Sequence, residues 1–552
     1  MTYELEEIVK NFVEHEFQQK IKPVFTRSDK SHGDFSCNIA MQIAGILGAN
    51  PKEIADKIAE ELKKQDSLKE ISVAGPGFIN ITLSDAYLVK NLDFNQNKYS
   101  VNGLKVLLEY SCPNAFKELH TGHLYQTLIG DSMGRIYEYM GGQVYRTSFG
   151  GDVGLHAGKC LYGILEALGG ENPDKLAEVK DKSAWISSAY VAGSKAYEKD
   201  ESTKRQIDEL NKRIYQLFAS KDETSAFAKI YFTTRQWSYD YFDEFYKSIE
   251  AIAFDSYYPE SQTMEPGLEL VRANIGNIFT ESEGATVLGE AKSGLHTRVF
   301  ITSAGLPTYE TKDLGVIQLE KIQYPYDKRI IVTGNDQSEY MKVVFSALTL
   351  IDPELGAKQR HVANGTVKFA DGSKMSSRLG NVSKAVDVVN GVESVITAGT
   401  SELKRDIALG AVKYSLLKSR VGGDISFDLE QSISTEGKSG PYLQYALARA
   451  RSIIKKSSLA DRPINDLTED ERKLAVKISA FPEVLEITIT DFSPHNICTY
   501  IYELAQEFNR FYEKNRVIGD DRESQRLSLI QKYEQTLGAA LNLLGIPTPE
   551  KI

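Results

Sequence analysis

The hydrophobic positions of the first hundred residues predict helices first and strands afterwards. Apolar residues recur at the spacing of an amphipathic helix over Thr2–Phe17 and Ile39–Leu47. A third helix is predicted to begin at Pro51, since proline fits a first helical turn, and its buried face is Ile54, Ala55, Ile58, Ala59 and Leu62.

The same region continues with a strand, a turn and a second strand. The runs Ile71–Ala74 and Phe78–Leu83 flank Gly75-Pro76-Gly77, and glycine with proline between apolar runs marks a turn. The polar stretch Asn91–Gly103 that follows has the composition of a linker. We therefore predict a small α+β domain over residues 1–100.

A different pattern begins at Leu104–Tyr110, a short apolar run that is typical of a buried strand. Further apolar runs at Thr297–Thr302 and Arg329–Thr333 are separated by helical stretches. Strands that alternate with helices indicate a layered α/β core with parallel strands. The first of these helices ends at Gly141-Gly142, and its apolar face consists of Leu124, Leu128, Ile129, Met133, Ile136, Tyr137 and Met140.

The rest of the chain is predicted to be helical. Residues 171–250 are charged and rich in tyrosine, and we interpret them as a helical insertion into the α/β domain. From Pro441 onward the pattern is helical with short breaks, which predicts an all-α bundle. The predicted fold is therefore multidomain α/β, with an α/β domain over 101–435 and a helical domain over 436–552.

Composition and charge narrow the classes of function. Of the 552 residues, 41% are hydrophobic and 26% charged, which excludes wholesale disorder. The 65 Lys and Arg against 76 Asp and Glu give a net charge of -11, which excludes a uniformly basic nucleic-acid coat but permits a local basic patch. No membrane span or secretion signal is evident. The four cysteines are far apart, so we expect a cytoplasmic location and no structural zinc.

Two histidines, His120 and His123, stand where a predicted strand passes into a helix. Free N–H groups at a helix start favour anions, and two imidazoles there could donate hydrogen bonds to a phosphate. Gly122 between them would let a flat ligand lie against the backbone. Ordinary surface histidines and a metal-binding pair are the alternatives, although no third ligand is evident nearby and no metal site is predicted.

A basic segment follows about 250 residues later. Glycines flank the small-residue loop that holds Lys374 and Arg378, which supply a mobile point charge and a forked donor suited to polyphosphate. Residues 355–384 contain six basic residues against one acidic residue, Asp371. The alternative is a solvated loop with scattered cations.

The order of these motifs resembles that of the class I aminoacyl-tRNA synthetases, and the chain resembles the arginyl-tRNA synthetase family in particular. The resemblance covers almost the whole chain except the charged insertion. It implies a Rossmann-like catalytic domain with HxGH and KMSKS-like motifs, an N-terminal tRNA-contacting domain and a helical anticodon-binding domain. The segments that carry it, beside these two motifs, are Gly33-Asp34-Phe35, Gly75–Asn80, Ser111–Lys117, Gly150–Gly154, Tyr309–Asp313, Val332–Gln337, Tyr442–Arg449, Phe508–Glu513 and Arg516-Val517.

The resemblance implies an arginine–tRNA ligase. Such an enzyme activates L-arginine with ATP and Mg²⁺ to arginyl-adenylate and pyrophosphate, then transfers arginine to the 3′-terminal adenosine of tRNA-Arg. Members of the family need tRNA for activation, and a cytoplasmic monomer without membrane contact is expected. Two other interpretations stay open: a class I ligase for another amino acid, and a non-catalytic RNA-binding relative. The second would have lost its phosphate-handling residues, whereas His120, His123 and Lys374 are all present.

The resemblance also implies which residues handle ATP. His120 and His123 would stabilise the transition state, and Lys374 would hold the leaving pyrophosphate. Lys117 would substitute for the second lysine of the general class I motif, where this chain has Ser377. The implied ATP-binding residues are Lys117, His120, Gly122, His123, Lys374, Met375, Ser376 and Arg378.

An arginine side chain is recognised by a carboxylate that pairs with its guanidinium and by an aromatic face on which it stacks. Tyr309 and Asp313 are four residues apart on one face of a helix predicted to begin at Pro307, and the resemblance implies that both contact the arginine side chain. By the same resemblance, Asn114 and Gln337 would hold the amino and carboxylate groups of the arginine substrate. Glu109 and Ser111 complete the implied arginine-binding set.

For tRNA, the helical run Tyr442–Lys456 offers basic residues without an acidic one, and aromatic residues near the C-terminus could stack on bases. The predicted tRNA-binding residues are Arg449, Arg451, Lys455, Phe508, Arg510 and Phe511. Because aromatic residues at helical spacing usually belong to a core, we also expect at least two of Phe508, Phe511 and Tyr512 to be buried.

The chain departs from the family pattern at three positions. Cys112, Tyr125 and His156 stand where serine, arginine and glutamine are usual. The Cys112 change is small, whereas His156, near Asp152, could alter the pocket. None of the three removes a residue that carries the chemistry.

Overall fold

A computed structural model describes residues 3–28, 32–93, 99–369, 384–457, 464 and 466–552. The residues group into two compact units. One consists of Met1–Asn95, Ala446–Val484 and Tyr500–Ala539, and the other of Gln96–Tyr445, Leu485–Thr499 and Ala540–Ile552. The segment predicted as a single helical domain therefore contributes to both units, so the compact units differ from the three predicted domains.

The N-terminal part of the first unit is an antiparallel sheet with helices. Its elements are α1 (Tyr3–Phe17), β1 (Phe25–Arg27), β2 (Phe35–Cys37), α2 (Ile39–Leu47), α3 (Pro51–Leu62), β3 (Leu68–Ala74), β4 (Phe78–Leu83) and α4 (Asp85–Lys90). The strand order is β1-β2-β4-β3. The Asn50 side chain caps α3 by accepting a hydrogen bond from the N–H of Lys52, and all five predicted apolar positions of α3 are buried.

The strands that follow are β5 (Lys105–Glu109), β6 (Gln143–Gly150), β7 (Ser256–Pro259), β8 (Thr280–Ser282), β9 (Ala285–Leu288), β10 (Arg298–Ile301), β11 (Lys328–Gly334), β12 (Gln359–Asn364), β13 (Val367–Phe369) and β14 (Ile425–Phe427). The helices between them are α5 (Thr121–Tyr139), α6 (Leu155–Leu168), α7 (Lys182–Lys199), α8 (Glu201–Ser220), α9 (Ala226–Ser248), α10 (Glu260–Arg272), α11 (Glu290–Ser293), α12 (Tyr309–Gln323), α13 (Ser338–Ile351), α14 (Pro353–Ala357), α15 (Ala385–Val395), α16 (Ser401–Leu417) and α17 (Leu429–Ser432). Two 3₁₀ helices span Pro173–Glu178 and Asn335–Gln337.

A five-stranded parallel sheet with the order β12-β11-β5-β6-β7 forms the centre of the second unit. The chain extends from β5 through β6 to β7 on one side, and β11 with β12 lies on the other side. The strand order therefore reverses next to β5. In open parallel sheets, ligands bind at the carboxyl ends of the strands beside such a reversal.

The prediction that Thr297–Thr302 belongs to the parallel core is wrong. The corresponding strand, β10, pairs antiparallel with β9 in a separate three-stranded sheet with the order β10-β9-β8. A short apolar run predicts a strand but does not specify its partner.

The remaining elements are helical, as predicted. Helices α7, α8 and α9 of the insertion share a core with α6. The C-terminal helices are α18 (Gly440–Lys456), α19 (Glu469–Ile478), α20 (Phe481–Asp491), α21 (His495–Lys514) and α22 (Glu523–Leu543). Among the helices of the described residues, none is both long and apolar enough to cross a membrane.

Candidate active site

A cavity of about 1040 Å³ lies along the carboxyl edge of the parallel sheet. Its wall is formed by segments that directly follow the strands: 112–126 after β5, 151–156 after β6, Glu260 after β7, 335–337 after β11, and 365–367 after β12. The cavity therefore occupies the position that the strand reversal indicates.

The two histidines cap the first turn of α5 and each other. Nδ1 of His120 accepts a hydrogen bond from the N–H of Gly122, and Nδ1 of His123 accepts one from the N–H of His120, both at 3.1 Å. Their ring centroids are 3.9 Å apart. Because each Nδ1 is an acceptor, the proton of each neutral ring lies on Nε2. Each histidine can therefore donate one hydrogen bond through Nε2.

Both imidazoles are held in the neutral form. Burial lowers the pKa of His123 to about 3, with smaller contributions from His120 and Lys117. Burial and Lys117 likewise lower the pKa of His120. The described residues contain no group of three or more His, Cys, Asp or Glu side chains arranged to hold a metal ion. The pair is thus built to donate hydrogen bonds rather than protons.

Gly122 has a packing role in this turn. A Cβ atom there would lie 2.8 Å from Cε1 and 2.9 Å from Nδ1 of His120. A side chain at this position would displace the His120 ring, so glycine keeps that ring against the helix start.

Four predicted ATP-binding residues, Lys374, Met375, Ser376 and Arg378, lie outside the described residues. Lys384, the first described residue after them, is paired with the segment before the histidines. Its Nζ lies 2.5 Å from Oε1 of Glu118, its backbone bridges to His120, and the N–H of Ala385 donates to the carbonyl of Leu119 at 2.8 Å.

Buried carboxylates line another part of the cavity wall. Asp313 accepts a hydrogen bond from the hydroxyl of Tyr340, and burial raises its pKa to about 7. Tyr309, one helical turn earlier on α12, also lines the cavity and is exposed. The structure thus brings the predicted Tyr309 and Asp313 together on one wall.

Glu260 is a cavity residue that the sequence analysis missed. It begins α10 directly after β7, and its carboxylate pairs with Nζ of Lys312 at 2.9 Å. Burial raises its pKa, whereas Lys312 opposes that rise. The short strand β7 has no periodic pattern that would have shown that Glu260 stands at a strand end.

Glu109 lines the cavity, but its carboxylate forms an ion pair with the guanidinium of Arg329. The same guanidinium donates through Nε to Glu320 at 2.5 Å, so one arginine joins two carboxylates in the core. Burial raises the pKa of Glu109, and Arg329 opposes that rise. Glu109 is therefore paired with a cation of the protein itself, whereas Asp313 has the uncharged hydroxyl of Tyr340 as its partner.

The structure does not bring the predicted Ser111 hydroxyl to the cavity. Its Oγ lies 2.9 Å from the hydroxyl of Tyr246 and accepts a hydrogen bond from Thr127 at 2.9 Å. Ser111 is buried in this contact, and its backbone adopts a φ of 68°.

Amides and an imidazole also line the cavity. Asn114 accepts a hydrogen bond from the N–H of Gly151 at 2.8 Å, and Gln337 ends the 3₁₀ helix after β11. Nε2 of His156 lies 3.2 Å from the carbonyl of Gly151, and burial lowers its pKa to about 4. His156, where the family usually has glutamine, thus lines the cavity as a neutral ring.

Cys112 and Tyr125, the other two residues that differ from the usual family pattern, lie in different surroundings. Cys112 lines the cavity with its thiol 3.8 Å from the Glu109 carboxylate, whereas Tyr125 is fully buried in α5.

The predicted tRNA-binding residues divide into core and surface. Phe508 and Phe511 are buried, which confirms the expectation that two of the three aromatic residues belong to the core. Phe508 stacks on Tyr533 with ring centroids 4.0 Å apart. The prediction that Phe508 and Phe511 stack on bases is therefore wrong, because neither ring reaches the surface, whereas Tyr512 is exposed.

Lys455 is exposed, and the other basic members of that set have protein partners among the described residues. Arg449 donates to the side-chain oxygen of Asn509 at 3.2 Å, and Arg451 pairs with Glu534 at 2.8 Å. Arg510 pairs with Glu507 at 3.1 Å on an exposed face of α21.

Comparison with known proteins gives the same family along the whole chain. Three family models match: the arginyl tRNA synthetase N terminal domain over residues 3–83, the class I (R) tRNA synthetase catalytic domain over 85–428, and the DALR anticodon binding domain over 443–552. The cavity lies within the segment matched by the catalytic-domain model.

Relatives and solved structures agree with these models. The arginine–tRNA ligase of Fusobacterium nucleatum is 31% identical over all of this chain and 99% of its own, and that of Francisella tularensis subsp. novicida is 30% identical with the same coverage. In fold, the chain is similar to the arginyl-tRNA synthetase of Thermus thermophilus (24% identity, TM-score 0.82, all of both chains). It is also similar to that of Plasmodium falciparum (21% identity, TM-score 0.83, all of this chain and 99% of the other). The chain therefore belongs to the arginyl-tRNA synthetase family of class I aminoacyl-tRNA synthetases.

Proposed function

We propose that this chain activates L-arginine with ATP in the cavity and transfers it to tRNA-Arg. The observation that carries the proposal is the opposite chemistry of two groups of side chains that line one cavity. One group is buried carboxylates with an aromatic ring, and the other is two neutral imidazoles with a lysine. A cation and a polyanion can thus be bound side by side.

Arginine is the cation that fits the carboxylate end. A planar guanidinium forms forked pairs with carboxylates and stacks on a ring, and Asp313 and Tyr309 offer both groups on α12. Lysine has no planar fork and would leave buried acceptors unpaired, which a polar site rejects strongly. Asn114 and Gln337, which also line the cavity, would then hold the amino and carboxylate groups of arginine.

ATP fits the histidine end. In activation, an oxygen of the arginine carboxylate attacks the α-phosphorus, the bond to the pyrophosphate breaks, and pyrophosphate leaves. Nε2–H groups of His120 and His123 would donate to the phosphate as charge builds up, and Lys117 would offset that charge. Mg²⁺ would be held by the phosphates of ATP, since the described residues lack a carboxylate and histidine cluster for it. Lys374, Met375, Ser376 and Arg378 stay predictions from the sequence.

The assignment of domains belongs to the same proposal. Residues 1–100 and 436–552 would contact the tRNA and residues 101–435 would carry out the catalysis, a division that the three matched family models support. The enzyme would act as a cytoplasmic monomer. On α18 and α21, Arg449, Arg451, Lys455 and Arg510 remain the candidates for phosphate contacts.

The decisive experiment is aminoacylation of total tRNA with each of the proteinogenic amino acids in turn. We expect charging with arginine alone, and arginine-dependent pyrophosphate exchange only when tRNA is present. Charging with another amino acid would support the alternative class I ligase. Absence of any charging, with retained tRNA binding, would support the non-catalytic relative.

A further inference from the structure

The loop between β5 and α5, which carries Lys117 to the cavity, has an unusual backbone. Ser111, Cys112 and Phe116 adopt positive φ values of 68°, 47° and 66°. Such a conformation is unfavourable for a residue other than glycine unless the surrounding structure compensates. Something outside the loop must therefore stabilise it.

The helical insertion provides that support. The N–H of Phe116 donates to Oγ of Ser238 on α9 at 3.0 Å. The Phe116 ring packs against Tyr231 of the same helix, with ring centroids 5.7 Å apart. Phe116 and its neighbour Ala115 belong to the core formed by α6 and the insertion helices. The loop therefore packs against the helices of residues 171–250.

The insertion also reaches the Lys117 side chain. Nζ of Lys117 lies 5.3 Å from the centroid of the Tyr190 ring on α7. Among the ion pairs of the described residues, none involves Lys117, whereas its neighbour Glu118 pairs with Lys384. The ring is therefore the charge-binding group that the described part of the chain offers to this ammonium.

A ring and a carboxylate would have different consequences for a phosphate-binding lysine. A carboxylate would neutralise the ammonium and compete with the phosphate for it. The face of an aromatic ring attracts the cation through its quadrupole and leaves the full positive charge in place. A ring can therefore fix the direction of the ammonium without weakening its action on ATP.

We propose that Tyr190 is a positioning residue that holds the Lys117 ammonium at the cavity, so that the insertion contributes to amino acid activation. This inference rests on the proposed role of Lys117 in ATP binding. It gives residues 171–250 a function in the reaction, which their sequence did not indicate.

The test compares two substitutions of Tyr190 in the full-length enzyme. Tyr190→Phe keeps the ring and should leave kcat within about twofold of the unsubstituted enzyme. Tyr190→Leu removes the ring and should lower kcat of tRNA-dependent pyrophosphate exchange by about 3- to 30-fold, with KM for arginine unchanged. Tyr197→Leu is the matched control, because Tyr197 lies on the same helix with Lys159 over its ring at 4.3 Å; it should leave kcat unchanged.

A double-mutant cycle separates positioning from loss of packing. In a Lys117→Met background, Tyr190→Leu should cause no further loss of kcat, because the ammonium that it positions is already absent. A further loss of similar size, or an equal loss in Tyr190→Phe, would overturn the inference while the proposed function stands. Failure of the unsubstituted enzyme to charge tRNA with arginine would overturn the proposed function and the inference with it.

Discussion

At the carboxylate end of the cavity, burial raises the pKa of Asp313 to about 7, whereas at the histidine end burial lowers the pKa of His123 to about 3. Desolvation disfavours the charged form at both ends. The carboxylate is therefore only about half ionised at neutral pH, and the imidazole is neutral throughout the physiological range.

The difference shows how one cavity can prepare for two ligands of opposite charge. A buried carboxylate with a raised pKa gains most from a ligand that brings a positive charge, because the pair then satisfies both groups. A neutral imidazole carries no positive charge but donates a hydrogen bond, which strengthens as negative charge develops on a phosphate. Arginine binding would thus depend mainly on the buried carboxylate, and the chemical step would depend on the neutral imidazoles.

The largest expected effect is at the carboxylate end. Asp313→Asn keeps the shape and an acceptor for Tyr340 but removes the charge. We expect kcat/KM for arginine to fall about 10³-fold, as for loss of one partner of a buried charge pair, while KM for ATP stays unchanged. Steady-state aminoacylation measures both. Unchanged arginine kinetics would show that another carboxylate, such as Glu260, binds the guanidinium.

At the histidine end, His120→Asn isolates the hydrogen-bond donor. Asparagine is a good N-cap, so the start of α5 and the melting temperature should be preserved, but the amide cannot replace the distant Nε2–H. We expect kcat to fall about 10²-fold, as for loss of one transition-state donor, with KM for arginine unchanged. A loss confined to KM would mean that His120 binds the ground state.

The third prediction compares the two ends by their pH dependence. Guanidinium binding needs ionised Asp313, whose pKa is about 7, so kcat/KM for arginine should decrease about tenfold per pH unit below that value. Binding of arginine there releases a proton from Asp313. KM for the magnesium complex of ATP should stay constant over the same range, because His123 does not titrate in it. An arginine profile without pH dependence would show that Asp313 is ionised throughout.

The smallest effect is expected at Glu118. Glu118→Gln removes the ion pair with Lys384, which is 38% exposed at its side chain, and exposed pairs contribute little. We expect kcat to fall about two- to fivefold, and Lys384→Met to give the same loss. Glu60→Gln, which breaks a surface pair with Lys63 on α3, is the control and should have no effect. Equal losses of kcat in Glu118→Gln and in Glu60→Gln would show that the Glu118–Lys384 pair has no specific effect at the active site.

Local elements of the fold could be predicted from the chain, since their signals are local. The predicted and observed bounds of α2 coincide, and the predicted face of α3 is buried. The partner of β10 could not be predicted, because pairing depends on residues far away in sequence. Strand β7 was missed because its four residues, a serine, two tyrosines and a proline, show no apolar periodicity.

The candidate site divides in the same way. Residues close together in sequence, such as His120 with His123 and Tyr309 with Asp313, were predicted together and line one cavity. Glu260 was missed, because its neighbours in sequence do not distinguish it from a surface glutamate. Phe508 was predicted as a stacking residue, but its partner Tyr533 lies on another helix and places it in the core.

The sequence by itself determined the types of side chain near each motif and the local geometry of the helix start at the histidines. Only the tertiary structure decided which carboxylate is available to a substrate. Glu109 is joined to Arg329 across 220 residues of chain, whereas Asp313 retains its place on the cavity wall with a tyrosine as its partner. Availability depends on burial and pairing, and both are set by residues that meet only when the chain is folded.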